Sequence, residues 1–190
     1  DIRILSTTTS REWGPATLHL GTVEVSSQVV SYLKRRQGSG EVFAEVPLEQ
    51  PVQSLETVAV WWTLPDQVVA DSGLSQADLP GAAHAAEHAS IGLLPLFATC
   101  SRWDIGGVST ARHPDTGLLT VFVHDGYPGG AGFAERGYQV AEDWLRSTRE
   151  AIADCECATG CPSCVQSPKC GNQNNPLDKA GALLLLGLLC

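Results

Sequence analysis

The sequence predicts an α+β fold: an antiparallel sheet with packed helices, closed by a C-terminal four-cysteine zinc lobe. Three observations carry that expectation. Runs of strand type crowd the first third of the chain. Helical spacing dominates the later part, so strands and helices do not take turns as they do in βαβ units. Five of the seven cysteines fall in the sixteen residues from Cys155 to Cys170.

Along the chain, Thr17 to Val25 alternates roughly as a strand pair around Gly21, and Val29 to Leu33 continues it. Gln37 to Gly40 is a turn. Glu41 to Leu48 and Ser54 to Leu64 are further strands, the second rich in Val and Trp. Gln67 to Ser72 suits a short helix. Gly81 to Phe97 is helical, with Ala82, Ala85, Ala86, Ala89 and Leu93 on one spacing. Gly117 to His124 is an apolar strand. Phe133 to Asp154 is one long amphipathic helix that turns Tyr138, Ala141, Trp144, Leu145, Thr148 and Ile152 to a core. A last helix starts near Pro176, capped by Asn175, and ends in the run Leu183 to Leu189. That run is far too short to span a bilayer. Residues 1–153 form an α+β accessory domain, and residues 154–190 form the cysteine lobe with the final helix packed on it.

Composition bounds the function. The 190 residues include 12 Lys and Arg against 21 Asp and Glu, a net charge of −9. Acidity of that size opposes a broad phosphate-binding surface, so any contact with DNA must be local or supplied by another domain. No methionine occurs and the chain opens on Asp1, which suggests a piece of something longer. There is no signal-peptide pattern, so a reducing cytoplasm is expected, where clustered cysteines mean metal or redox chemistry.

The knuckle of the cluster is Cys161-Pro162-Ser163-Cys164. Two thiolates on either side of a tight turn can face one tetrahedral ion, and zinc takes four such ligands in a structural site. The surrounding residues are polar and turn-forming and can bury almost nothing apolar, so a metal is what would order them. A redox dithiol and an iron–sulfur cluster are the rival readings. Five thiols compete for four places. Cys157, Cys161, Cys164 and Cys170 let two arms close around the ion. Cys155 lies one residue from Cys157, would crowd it, and stands as the alternative ligand. Cys100 and Cys190 lie apart.

Other motifs are weaker. His84-Ala85-Ala86-Glu87-His88 matches H-x-x-E-H, which on a helix sets two histidines one turn apart with a glutamate beside them. A metallopeptidase would need a third ligand from downstream, with only Glu142 or Glu150 to nominate, and a histidine pair hydrogen-bonded within the fold explains the motif as well. His124 to Gly132 joins a strand to a helix. It is neither a dinucleotide fingerprint nor a phosphate loop, and it suits a tight packed turn or an anion at the helix N-terminus. Trp61 and Trp62 point to opposite faces of a strand, one to the core and the other to the core or a partner. An Arg102–Asp104 ion pair accounts for the charges beside Trp103.

The stretch from Cys157 through Asn172, followed by Asn175-Pro176-Leu177-Asp178-Lys179, resembles the C-terminal zinc-binding domain of the MrfA/SftH-type superfamily 2 DNA helicases. His84 to Ala89, Asp104 to Gly107, Asp125 to Gly132 and the strand Thr57 to Trp61 agree in order. The resemblance implies a structural zinc on Cys157, Cys161, Cys164 and Cys170. It implies a bacterial parent with an N-terminal ATP- and Mg2+-dependent motor that moves 3′ to 5′ on single-stranded DNA and serves DNA repair. This chain itself has no phosphate-binding Gly-Lys-Ser/Thr loop, so the expectation is an accessory domain without ATPase activity, not a membrane protein. Lys169, with Gln166 and Asn172, is the expected local DNA contact. A protein-interaction module is the further alternative.

Overall fold

The computed structural model describes residues 1–189; Cys190 lies outside them. Five strands make one antiparallel sheet in the order β1-β2-β5-β7-β6. They are β1 Ile2–Trp13, β2 Ala16–Ser27, β5 Gln53–Leu64, β6 Ile105–Thr110 and β7 Leu119–Asp125. A separate hairpin pairs β3 Ser31–Arg35 with β4 Val42–Pro47. The helices are α1 Asp66–Asp71, α2 Leu79–Leu93, α3 Phe133–Gln139, α4 Ala141–Ala153 and α5 Lys179–Gly187. The α+β class with an antiparallel sheet is as the sequence predicts.

The central strand shows why the sheet is buried on both faces. Val60, Trp62 and Leu64 of β5 alternate with Ala59 and Trp61, as strand geometry requires. The first set joins the main core with α2, α4 and α5. The second joins a smaller cluster with Ile2, Val23 and Phe122. Both tryptophans are therefore core, at 1% and 2% exposure. Neither offers a ring to a partner. Trp61 instead stacks on His19, with centroids 5.3 Å apart.

Helix α2 is buried nearly all round. Its alanines at 82, 83, 85, 86 and 89 are fully covered. Small side chains let α5 approach closely, and a Cβ on Gly181 would lie 2.6 Å from that of Ala82. This contact places α5, and the cysteine segment before it, directly against α2. Val165, Leu185 and Leu186 enter the same core as Trp62 and Trp144.

Several elements depart from expectation. Gly21 is no turn but the middle of continuous β2, where a Cβ would fall 2.0 Å from the Ser6 carbonyl oxygen. Its lack of a side chain admits the irregular stretch of β1, whose register shifts between Ile4 and Ser6 and again between Thr7 and Thr9. The long helix is two, broken at Val140. The break lets α3 lie on the sheet while α4 packs on α2 and α5. The last helix starts later, with Asp178 rather than Asn175 as its cap and the Asp178 side chain accepting from Gly181 N at 2.9 Å. No described helix is long and apolar enough to cross a membrane.

Candidate metal centre

The knuckle forms because the Cys161 carbonyl accepts from the backbone N–H groups of Cys164, Val165 and Gln166. That turn aims Cys161 and Cys164 the same way. Cys155 and Cys157 arrive from the end of α4. The sulfur separations are 3.5 Å for Cys155–Cys157, 3.6 Å for Cys155–Cys161, 3.5 Å for Cys157–Cys164 and 3.8 Å for Cys161–Cys164. A tetrahedral zinc with bonds near 2.3 Å sets its sulfurs about 3.8 Å apart. Four of the six sulfur–sulfur edges match that spacing and all four sulfurs lie within 4.8 Å of one another, so the thiols fit the ion.

The geometry groups a different four from the expected set. Cys155 stands in the cluster and Cys170 does not. The 3.5 Å between Cys155 and Cys157 is an ordinary tetrahedral edge, so the crowding objection to that pair fails. Beyond the knuckle the chain turns away. Ser167 N donates to Asn174 Oδ1 at 2.7 Å, and Asn174 Nδ2 donates back to the Ser167 carbonyl at 3.1 Å. These bonds close a separate loop that carries Cys170 to His84, with Sγ 3.4 Å from Nε2.

Electrostatics suit a cation. The Ser163 backbone N–H, with the Cys155 thiol next, holds the Cys161 thiol low, at about 6. Burial pushes the Cys164 thiol up to about 12. Thiols this close cannot all ionise without a positive charge among them. Four thiolates on a divalent ion leave two negative charges, and Lys179 meets them. Its Nζ donates to the carbonyls of Cys155 and Cys157 at 2.5 and 2.7 Å and lies 3.5 Å from Cys157 Sγ. Lys179 is buried, at 9% exposure. Outer partners of this kind tune affinity. Lys179→Met is expected to weaken zinc retention about 10–100-fold, read by competition with a chromophoric chelator.

The expected DNA-contact residues are largely occupied. Lys169 Nζ donates to the carbonyls of Arg102 and Ile105 at 3.0 and 2.7 Å. Gln166 Nε2 donates to the Gly160 carbonyl. Asn172 is exposed. Asp104 does not pair with Arg102; it accepts from the Tyr127 hydroxyl at 2.5 Å and from Ser101 N at 2.7 Å. The anion at the N-terminus of α3 is the chain's own. Asp125 is fully buried, and its carboxylate accepts from Ala131 N, Phe133 N and Ala134 N.

The H-x-x-E-H residues lie on α2. His84 and His88 each set Nδ1 on a backbone carbonyl, those of Pro176 and Val165, at 2.8 and 2.9 Å. Burial, with His84 adding, draws the His88 imidazole down to about 4. Burial pushes Glu87 up to about 7, opposed by the Ser109 hydroxyl that its Oε2 accepts at 2.7 Å. Glycines 106 and 107 of β6 make room here. A Cβ on the first would strike the His124 ring and one on the second the Glu87 side chain, at 2.7 and 2.8 Å. Glu142 and Glu150 are exposed on α4.

The family model described as the MrfA Zn-binding domain matches residues 86–165, from α2 to the end of the knuckle. Residues 86–165 belong to the MrfA Zn-binding domain family. The matched residues include the four clustered cysteines and stop short of Cys170. YprA of Bacillus subtilis, an ATP-dependent helicase, is 30% identical over 166 residues, 86% of this chain and 22% of that protein. A protein of Methanocaldococcus jannaschii is 40% identical over 106 residues, 54% of this chain and 95% of its own length. The crystal structure of the DUF1998 helicase MrfA bound to DNA superposes with a TM-score of 0.73 at 26% identity, over 100% of this chain and 24% of that one. The chain thus spans under a quarter of the helicases it matches.

Proposed function

We propose that this chain serves as the accessory zinc-binding domain of a bacterial ATP-dependent 3′–5′ DNA helicase that acts in DNA repair. Its zinc would sit on Cys155, Cys157, Cys161 and Cys164. The observation that carries the reading is the convergence of those four thiols, all within 4.8 Å of one another, together with the match to a zinc-binding family model and helicase relatives. The ion would lock the cysteine segment onto α2 and α5 and so present one rigid face beside a motor. The chain's own residues supply no phosphate-binding loop, so ATP and Mg2+ belong to the motor. The full-length superposition on a helicase bound to DNA supports DNA engagement through that motor.

The acidic chain, with Lys179 buried and the Lys169 amine held by two backbone carbonyls, is expected to bind single-stranded DNA only at about 10⁻⁴ M or weaker at physiological salt. Linkage to a motor would raise the effective concentration and make weak contacts count. The test measures three things on freshly purified protein. Zinc should be present, ATP hydrolysis absent with or without DNA, and anisotropy of a labelled oligonucleotide nearly flat. Hydrolysis that tracks the protein through purification, or sub-micromolar DNA binding, would overturn the reading.

A further inference from the structure

Outside the four-thiol cluster, three more metal-ligating side chains meet at one point. Helix α2 sets His84 and His88 one turn apart on the same face, with ring centroids 4.2 Å apart. Each ring is oriented from behind. Nδ1 of His84 lies on the Pro176 carbonyl and Nδ1 of His88 on the Val165 carbonyl, at 2.8 and 2.9 Å. A ring that donates Nδ1–H to a carbonyl carries its lone pair on Nε2. That contact is the one by which metal-bound imidazoles are held in place. The third side chain is Cys170, with Sγ 3.4 Å from His84 Nε2. One donor atom from each of the three lies within 4.8 Å of the others. A tetrahedral zinc with bonds near 2.0 Å to nitrogen and 2.3 Å to sulfur would set nitrogen and sulfur about 3.6 Å apart.

We propose that the chain holds a second divalent transition-metal ion, bound by His84, His88 and Cys170, with its remaining position open to the adjoining cavity. The site shares no residue with the four-thiol cluster and does not depend on the chain serving a helicase. Two nitrogens and a sulfur select zinc, or cobalt as its stand-in, over magnesium or calcium, which take oxygen. The Cys170 sulfur also accepts from Asn174 N, 3.3 Å away, which holds it in place.

The fold gives this ion something to do. Val165, Cys170 and Pro176 all belong to the polar segment that follows the knuckle, and all three reach α2 through these histidines. The ion would fasten that segment to the helix, as the first zinc fastens the stretch before it. The cavity beside the three side chains has a volume of about 930 Å³ and is also lined by Lys169, His124 and Asn172. Three protein ligands with one open position is the arrangement that keeps water or an anionic oxygen on the metal. Glu87 has no place in the ligand set, since its carboxyl is held by Ser109 on β6.

The deciding experiment equilibrates the chain with excess zinc, removes unbound metal and counts zinc per folded chain. Two equivalents are expected. Cys170→Ser and His84→Asn should each lose one of the two and keep the thiolate-bound ion. Zinc-edge X-ray absorption on the unsubstituted chain needs no variant to fold. It should show a mixed shell of sulfur and imidazole nitrogen. One equivalent with a sulfur-only shell would overturn the proposal, and so would a second equivalent that survives both substitutions.

Discussion

Cys155→Ser is expected to cost the chain its four-thiol zinc as completely as Cys161→Ser, while Cys170→Ser leaves that ion bound. The sulfurs of Cys155, Cys157, Cys161 and Cys164 already stand 3.5–3.8 Å apart along their bonded edges. Loss of any one leaves three thiolates and a vacancy that a serine hydroxyl fills poorly. Structural zinc of this kind contributes about 10 kcal/mol or more of folding free energy. The segment around the knuckle has little apolar surface besides Val165 to replace it. The two variants should therefore lack the ion, lose the protection of residues 155–166 in hydrogen exchange, and be poorly soluble. Metal analysis with exchange mass spectrometry checks this. Full retention of thiolate-bound zinc by Cys155→Ser would show that the geometry misassigns the set.

The cluster was legible in the sequence, but its membership was not. Spacing alone ranks Cys170 with the knuckle because five intervening residues can close a loop. What excludes it is the pair of Ser167–Asn174 hydrogen bonds, a contact across seven residues that no ligand arithmetic contains. The second histidine–cysteine group was half legible. The i, i+4 histidines are visible as a motif, but the only downstream glutamates to nominate as a third ligand, Glu142 and Glu150, are exposed on α4. The usable signal was the fifth cysteine itself, left over once four are assigned. Lys179 carried no signal, because a lysine at the start of a helix reads as solvated until α5 is placed against the cysteine segment.

In the fold, elements marked by unbroken apolar periodicity were readable, such as β5, β7 and α2. Strands with weak side-chain pattern were not. Most of β1 is an exposed polar edge whose run Ser6-Thr7-Thr8-Thr9-Ser10-Arg11-Glu12 hides its pairing with β2. Strand β6 opens Ile105-Gly106-Gly107, and glycine there reads as a turn. Only the packing of His124 and Glu87 over those two positions shows why nothing larger fits. The break at Val140 obeys no local rule either, since helical periodicity runs through it.

The loop from His124 to Gly132 yields the other large effect. Asp125→Ala is expected to destabilise the fold by about 3–5 kcal/mol. The side chain is fully buried at the end of β7 and accepts from three backbone N–H groups that lead into α3. Two of them, Phe133 N and Ala134 N, are among the donors a helix N-terminus cannot satisfy internally, and here an interior carboxylate replaces solvent. Removing it strands the Phe133 and Ala134 donors inside the fold, each costing about 1–3 kcal/mol when buried without a partner. It also frees the turn that lets α3 lie on the sheet. Asp125→Asn keeps one acceptor oxygen but turns an amide NH2 toward at least one donor, so a smaller loss of about 2 kcal/mol is expected. Urea unfolding of the zinc-loaded protein would measure both. Zinc content should not change, because Asp125 touches neither metal-ligating group, and this separates the effect from loss of the lobe. A cost below about 1 kcal/mol for Asp125→Ala would mean that water reaches these amides and that the loop is not held by its own carboxylate.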